Sequence, residues 1–211
     1  PTGPNAPDVW WGFIGEHVLT RSVRDCAALL DATAGDYPQQ LMKLPPPARP
    51  FLEEAQREAG RMRIAFSYDP GLGKTLHPEN RKALEATTAT LDRLGHEMVE
   101  VRLPLPPETF IESYAALVSA DVAATLRMAG QLVGREATSD DVELATWILA
   151  KMGEAQSAAD VASAMWTLQG FSRQWLAWTS SWDVLLTPTA GVPPMPIGAY
   201  KLPTLQRQGL K

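Results

Sequence analysis

A strand–helix–strand pattern in the first half of the chain constrains the fold more than any other feature of the sequence. Met62–Tyr68 alternates along its length and predicts a strand, and apolar residues then recur at helical spacing from Pro78 to Gly95. Proline suits the first turn of a helix, and glycine suits its end. A second strand is predicted at Val99–Leu103. Because the joins are short, we expect a parallel pair with a right-handed crossover, and therefore the α/β class.

The remainder of the chain is predicted to be mainly helical. Ser or Thr followed three residues later by Asp is a capping-box pattern that marks a helix start. The pattern occurs at Ser22 and Asp25, at Thr138 and Asp141, and at Ser157 and Asp160. The first of these helices is predicted at about residues 22–34, and the second carries Trp147. Another helix is predicted from Pro107 to about Gly130.

The helix after Ser157 carries a stripe of large apolar side chains at steps of three and four residues. The stripe comprises Val161, Met165, Leu168, Phe171, Trp175, Trp178 and Trp182. We predict that this face packs on the sheet as core and is not an aromatic binding platform. Asp183–Thr187 then predicts a buried strand that runs into a loop at Pro188.

Charge and composition exclude several classes of function. The formal net charge is −5 with acidic and basic residues interspersed, so nucleic acids and anionic membranes are poor candidates for partners. No apolar run approaches the roughly 18 residues of a membrane span. The single cysteine, Cys26, excludes an internal disulfide and fits a reducing cytoplasm. The chain begins with neither Met nor a signal-like segment, so we do not expect Pro1 to be a natural start.

One glycine-rich segment imitates a nucleotide-binding loop. Gly71–Thr75 follows a predicted strand and matches the end of the motif G-x-x-x-x-G-K-[ST]. The position of the first glycine is occupied by Tyr68, and Pro78 lies too close for a helix to start at the Lys-Thr pair. We therefore predict a strand-to-helix connection that does not bind ATP.

The individual reactive residues do not form a self-contained active site. The three histidines are His17, His77 and His96. Their spacing does not suggest a metal site, and no metal or cofactor is predicted. Cys26 is expected to be a buried small residue and not a nucleophile. Ser180 and Ser181 are adjacent but have no glycine nearby to shape an oxyanion hole, so we expect them to satisfy helix-terminal carbonyls.

Four segments match the motifs of one known family, in the same order along the chain. Glu16–Gly35 matches T-R-[ST]-V-x-D-x-A-x-L-L-D-x-x-x-G, and Arg63–Ser67 matches an RIA strand. Leu91–His96 matches an LxxLGH helix end, and Trp182–Thr189 matches a WDxLLxPT strand and loop. Together these segments resemble the amidase signature family of hydrolases. The residues Glu16–Leu19 are similar to the branch that contains 6-aminohexanoate-cyclic-dimer hydrolase.

The resemblance implies the amidase-signature fold, a mixed sheet covered by helices, and hydrolysis of linear or cyclic amides. In that family a lysine deprotonates a cis-peptide serine, which activates the nucleophilic serine, and amides of a Gly/Ser-rich loop stabilise the oxyanion. These elements precede the Glu16–Gly35 motif in the family, and this sequence contains no such loop. We therefore expect residues 1–211 to be a C-terminal-side part of an amidase domain, with a Pro-rich connection at 44–50 and no catalytic residue of its own.

The resemblance leaves to this chain a wall of the substrate pocket. The candidate residues are Ser113, Ser119, Asp121, Trp147, Thr187 and Thr189. The expected partners are a small-molecule amide substrate and either a second copy of the chain or a complementing N-terminal fragment. The alternative is a non-catalytic partner or binding domain derived from the amidase fold. The chain alone is expected to be inactive, and its expected location is the cytoplasm.

Overall fold

The computed structural model describes residues 9–36, 45–69 and 75–199. The chain divides into two compact units, Pro1–Gly60 and Arg61–Lys211. Lys74 and most of the glycine-rich segment lie outside the described residues, so the prediction about ATP stays a prediction. Among the helices of the described ranges, none is both long and apolar enough to cross a membrane.

The described residues of the first unit form two helices, and a side chain of the first caps the second. After a short 3₁₀ turn at Val9–Gly12, the elements are α1 (Val23–Thr33) and α2 (Phe51–Glu54). The Ser22 hydroxyl accepts a hydrogen bond from the Asp25 amide at 3.0 Å, which confirms the predicted start of α1. The carboxylate of Asp31 accepts hydrogen bonds from the amides of Phe51 at 2.7 Å and Leu52 at 2.9 Å. Asp31 therefore satisfies the free N–H groups at the start of α2.

The described residues of the second unit form a three-stranded sheet and four helices. The elements are β1 (Arg63–Phe66), α3 (Pro78–Arg93), β2 (Glu97–Glu100), α4 (Pro107–Val133), α5 (Leu144–Glu154), α6 (Ala158–Thr179) and β3 (Val184–Leu186). The strand order is β2-β1-β3, and both pairs are parallel. The α/β class and the predicted strand–helix–strand unit are therefore confirmed.

The second strand lies closer to the helix than the alternating pattern predicted. Glu97 pairs with Arg63, and the last ladder contact is the Val101 amide donating to the Phe66 carbonyl at 2.8 Å. Because β1 ends at Phe66, the residues after Val101 have no strand beside them on that edge. The alternation up to Leu103 therefore extends beyond the paired region.

Two of the family-like segments meet at the start of the sheet. The Arg63 amide donates to the Asp183 carboxylate at 2.7 Å, and the Asp183 amide donates to the Arg63 carbonyl at 3.0 Å. The Arg63 guanidinium lies 4.4 Å from the centre of the Trp182 ring, within the range of a cation–π contact. These motif residues therefore pair β1 with β3.

One of the three helix starts predicted from capping boxes is wrong. The boxes at Ser22 and Ser157 cap α1 and α6 as predicted. In contrast, α5 begins at Leu144, well after the third box. There the Asp141 carboxylate accepts a hydrogen bond from the Thr138 amide at 2.8 Å and closes a turn that no helix continues.

Helix α4 continues past Gly130, where it was predicted to end. It stops at Val133, and Gly134 follows with a φ of 77°, the left-handed conformation that terminates helices. A Cβ on Gly130 would lie 2.8 Å from the Arg135 carbonyl oxygen. Glycine at this position therefore lets the chain fold back over the last turn of α4.

The tryptophan stripe is only partly core. Leu168 is 4% exposed, whereas Trp175 and Trp178 are half-buried and pack on each other with ring centres 5.3 Å apart. Helix α6 ends at Thr179, so Trp182 lies beyond it. The helix packs mainly on α4, and the core it shares with α4 is built on Leu117 and Leu168. The prediction that the whole face packs on the sheet is therefore wrong.

Candidate functional site

One stripe of α4 leads from the core to an unpaired carboxylate. Phe110, Tyr114, Leu117 and Asp121 follow at steps of three or four residues, and the first two rings stack 6.1 Å apart. Leu117 is fully buried, and Asp121, one turn later, is half-buried. No described residue makes a hydrogen bond or an ion pair with the Asp121 side chain. Because carboxylates removed from water are normally paired, Asp121 is suited to accept an N–H group of a ligand.

The two candidate serines of α4 are buried, and one of them joins helices. Ser113 is 8% exposed, and Ser119 is fully buried. The Ser119 hydroxyl donates to the Ala116 carbonyl at 3.1 Å and accepts a hydrogen bond from the Gln156 amide nitrogen at 2.6 Å. The Ser119 proton is therefore used within α4, and the Ser119 oxygen joins α4 to the residue that follows the end of α5. A place for either serine in a pocket wall stays a prediction.

Trp147 lines an open cleft of about 630 Å³, which we call the α4–α5 cleft. Its walls come from the end of α4, the loop after it and one face of α5, and they include Leu126, Arg127, Gln131, Glu136, Trp147 and Lys151. The Trp147 indole is half-buried, and the Lys151 ammonium lies 4.4 Å from its ring centre. The cleft therefore combines an aromatic surface with charges of both signs.

The loop on one side of this cleft is held by an ion pair. The Arg135 guanidinium donates to the two carboxylate oxygens of Asp141 at 2.8 and 2.6 Å. The amide and the hydroxyl of Thr138 each donate to the same carboxylate at 2.8 Å. The hydrogen bonds from Arg135 and then from Thr138 hold the pKa of Asp141 well below its usual range, and Asp141 raises the pKa of Arg135. The ionised pair fixes the conformation of the loop.

We expect Asp141→Asn to weaken the dependence of folding stability on acid. A carboxylate whose pKa is lowered by folding contributes stability above its unfolded-state pKa of about 3.9, and this stability is lost as pH falls through the folded-state pKa. Chemical denaturation between about pH 7 and pH 2 should show that the variant loses less stability than the wild type over this range. Arg135→Gln should also flatten the profile, because it removes the main cause of the shift. If stability depended on pH in the same way in the wild type and in both variants, this would contradict the lowered pKa assigned to Asp141.

Thr187 and Thr189 lie in a second cleft, of about 430 Å³, beside α3. The loop that carries them is tied to α3, since the Asn80 side-chain amide donates to the Ala190 carbonyl at 2.6 Å. Both threonine side chains are exposed. The lining residues of this cleft do not include Trp147, so the structure does not gather the predicted site residues into one pocket.

The histidines and the paired serines have local structural roles. Each histidine has a ring nitrogen near a backbone group: His17 near the Cys26 carbonyl at 3.3 Å, His77 near the Glu79 amide at 3.2 Å, and His96 near the Met62 amide at 3.2 Å. The Ser180 hydroxyl donates to the Ala177 carbonyl at 2.7 Å, which is the predicted helix-terminal role. Within the described ranges no group of three or more His, Cys, Asp or Glu could hold a metal ion.

Sequence reasoning missed the six polar and charged lining residues of the α4–α5 cleft, which include Arg127, Gln131 and Glu136. Arg127 and Gln131 are four residues apart on α4, and Glu136 lies in the loop after it. In the sequence they are ordinary charged and polar positions of a helix end. The spacing of Arg127 and Gln131, which places them on one helix face, is the only signal that could have paired them.

Comparison with known proteins gives consistent matches over most of the chain. The family model for amidases matches residues 15–208. The chain is 29% identical over 183 residues to 6-aminohexanoate-cyclic-dimer hydrolase of Paenarthrobacter ureafaciens, which covers 84% of this chain and 37% of that protein. It is 28% identical over 172 residues to lipoamidase of Enterococcus faecalis, which covers 81% of this chain and 22% of that protein. The chain therefore spans little more than a third of the first relative and less of the second.

Solved structures share the same fold. A structure of 6-aminohexanoate cyclic dimer hydrolase superposes with a TM-score of 0.77 at 28% identity, covering 87% of this chain and 38% of that one. A bacterial aryl acylamidase of the amidase signature family superposes with a TM-score of 0.69 over 83% of this chain and 36% of that one. Its identity is 17%, so this second likeness supports the fold alone.

Proposed function

This chain belongs to the amidase family. We propose that it forms part of a hydrolase that cleaves the C–N bond of a small linear or cyclic non-peptide amide. The observation that carries the proposal is the family match over residues 15–208. The likeness to a solved cyclic-amide hydrolase at a TM-score of 0.77 supports it. The contribution of this chain is to shape the pocket that holds the amide.

We assign bond cleavage to a Ser-cisSer-Lys group that this chain does not supply. An unactivated serine hydroxyl needs a base, and the oxyanion that forms needs preorganised donors. By the family resemblance, both lie before the Glu16–Gly35 motif. No residue of the chain is therefore given a catalytic role.

Asp121 and Trp147 are the two candidates best suited to a pocket wall. Both side chains are half-buried, and both have polar atoms without a partner among the described residues. The Asp121 carboxylate can accept the N–H of an amide, and the Trp147 indole N–H can donate to an amide oxygen. The two side chains are separate candidates, because Asp121 is not among the lining residues of the cleft that contains Trp147.

We expect hydrolysis only from a longer protein. The purified chain of residues 1–211 should leave 6-aminohexanoate cyclic dimer and a simple aryl amide intact, because it lacks the base and the nucleophile. The same reading frame extended upstream through a Gly/Ser-rich loop should release the amine product, measured by chromatography. In that protein Asp121→Asn should raise KM more than it lowers kcat if the carboxylate binds substrate.

Two outcomes would contradict this function. Turnover by the sequence-verified chain alone would mean that it contains an active site of its own. An inactive extended protein with an intact Gly/Ser-rich loop would favour a non-catalytic binding domain instead. Thr189→Ala, at an exposed threonine of the cleft beside α3, is a comparison for Asp121→Asn because it alters a different candidate residue of the pocket wall.

A further inference from the structure

We propose that Asn80 is a positioning residue: it holds the loop at residues 187–192 in one conformation at the carboxyl end of the sheet, and so fixes one wall of the pocket for the amide. The pocket role of this loop rests on the proposed function. The anchoring of the loop by Asn80 depends only on contacts between described residues, so the two parts of the proposal can fail separately.

The loop lies where open parallel sheets bind their ligands. The strand order β2-β1-β3 places β2 and β3 on opposite sides of β1, and both pairs are parallel. In sheets of this kind ligands bind in the crevice outside the carboxyl ends of the strands, at the point where the strand order reverses. Strand β3 ends at Leu186, and the loop that follows it lines the cleft of about 430 Å³ beside α3. The position of the loop in the fold therefore makes it a candidate wall.

Two hydrogen bonds join the middle of the loop to the first turn of α3. The Asn80 side-chain amide donates to the Ala190 carbonyl at 2.6 Å, and the His77 amide donates to the Gly191 carbonyl at 2.9 Å. Asn80 and Ala190 are 110 positions apart in the sequence, so this contact is tertiary. The Asn80 side chain is half-buried, which reduces competition from water for its N–H group. The start of α3 therefore holds the loop at two adjacent carbonyls.

Prolines on both sides make these two hydrogen bonds effective. Pro188 precedes the bonded carbonyls, Pro193 and Pro194 follow them, and all three prolines line the cleft. A proline ring locks φ at about −65°, so the loop can change its conformation at only a few residues. Those residues lie between the prolines, where both hydrogen bonds act. Loss of the Asn80 bond therefore frees the part of the loop that carries Thr189.

Asparagine at position 80 suits the loop contact better than it suits the helix. Asn80 is in the first turn of α3, and asparagine favours helices less than alanine does. It is not needed as a cap, because the His77 ring nitrogen accepts a hydrogen bond from the Glu79 amide at 3.2 Å. The Asn80 amide reaches the backbone of another segment instead. Its contribution is therefore to the position of the loop.

Amide hydrogen exchange in the chain of residues 1–211, followed by NMR, tests the anchoring. The reporter is the His77 amide, whose partner is the Gly191 carbonyl. Asn80→Ala should raise its exchange rate about ten-fold, the factor for the loss of one hydrogen bond. Asn80→Ser, whose side chain is shorter by one atom, should act in the same direction and serves if the alanine variant does not fold. Lys82→Ala is the matched control and should leave the rate unchanged, because Lys82 is an exposed residue of the same helix that does not line the cleft.

Steady-state kinetics of the extended protein test the pocket role. Asn80→Ala should raise KM several-fold and change kcat less, because the loop is a wall for the substrate and takes no part in bond cleavage. Lys82→Ala should leave both constants unchanged. Urea denaturation of each variant is measured alongside, since a purely structural role of Asn80 would lower stability without raising KM more than it lowers kcat.

Three results would count against the proposal. An unchanged exchange rate of the His77 amide in both Asn80 variants would overturn the anchoring. Faster exchange with an unchanged KM would overturn the pocket role of the loop. An inactive wild-type extended protein would contradict the proposed function and the pocket role with it, whereas the exchange rates decide the anchoring on their own.

Discussion

Alanine at Gly153 should destabilise the second unit by about 3 kcal/mol or more, the upper range for overpacking a close contact. A Cβ at this position would lie 2.0 Å from the carbonyl oxygen of Ser119 and 2.8 Å from the amide nitrogen of Ala120. Both are backbone atoms of α4, so no side-chain rotation relieves the overlap. Moving α5 away would also break the hydrogen bonds from Gln156 to Ser119 at 2.6 Å and to Ala116 at 3.1 Å.

Gly170→Ala is the matched control for this prediction. Gly170 is likewise a helical glycine, in α6, and a Cβ there meets no atom within 4 Å. Because alanine favours the helix, this variant should be unchanged or stabilised by up to about 1 kcal/mol. Urea denaturation followed by circular dichroism measures both variants. A loss below about 1 kcal/mol in Gly153→Ala would show that the two helices are not in the close contact described.

Leu117→Ala should cost about 3–5 kcal/mol, the range for removing a large side chain from a packed core. Leu117 is completely buried and forms the core cluster with Ala164 and Leu168. Truncation removes apolar contacts and leaves a cavity, because helices tied at other points close only partly around it. This loss is a large fraction of the stability of a typical domain, which is about 5–15 kcal/mol.

Leu132→Ala tests whether this loss comes from burial and not from the helix itself. Leu132 is in the same helix and is 83% exposed, so its truncation should change stability by no more than about 0.5 kcal/mol. Leu117→Met keeps the volume and should cost less than about 1.5 kcal/mol, so it remains measurable if the alanine variant does not fold. Similar losses of stability in Leu117→Ala and Leu132→Ala would contradict the assignment of α4 to the core.

Gly153→Ala and Leu117→Ala both disturb the packing of α4, which also carries candidate binding residues. Asp121 lies one turn after Leu117, and Arg127 lies further along α4 in the wall of the α4–α5 cleft. The core fixes one face of α4 against α6, and Gly153 fixes another against α5. Packing at two faces therefore sets where the Asp121 carboxylate is presented.

Local patterns in the sequence determined the α/β class, the parallel strand–helix–strand unit and two of the three capped helix starts. These features depend on residues a few positions apart. The contact of Ser157 with Asp160 at 3.1 Å and the start of α3 at Pro78 are examples. The family motifs also came from the sequence. The paired strands show what two motif residues do, because the Arg63 amide donates to the Asp183 carboxylate and so joins β1 to β3.

Only the tertiary structure decided which of these residues face each other across the chain. At Thr138 the Asp141 carboxylate accepts hydrogen bonds from both Thr138 and Arg135, and the Asp141 amide donates to the Thr138 carbonyl, so the capping pattern closes a turn and does not start a helix. The contact between Gln156 and Ser119 joins residues 37 positions apart, and no periodicity specifies it. Periodicity identifies the apolar face of a helix, but not the partner of that face or how far along it the contact extends. For this reason Trp175 is half-buried, and the polar residues of the α4–α5 cleft became visible only in the fold.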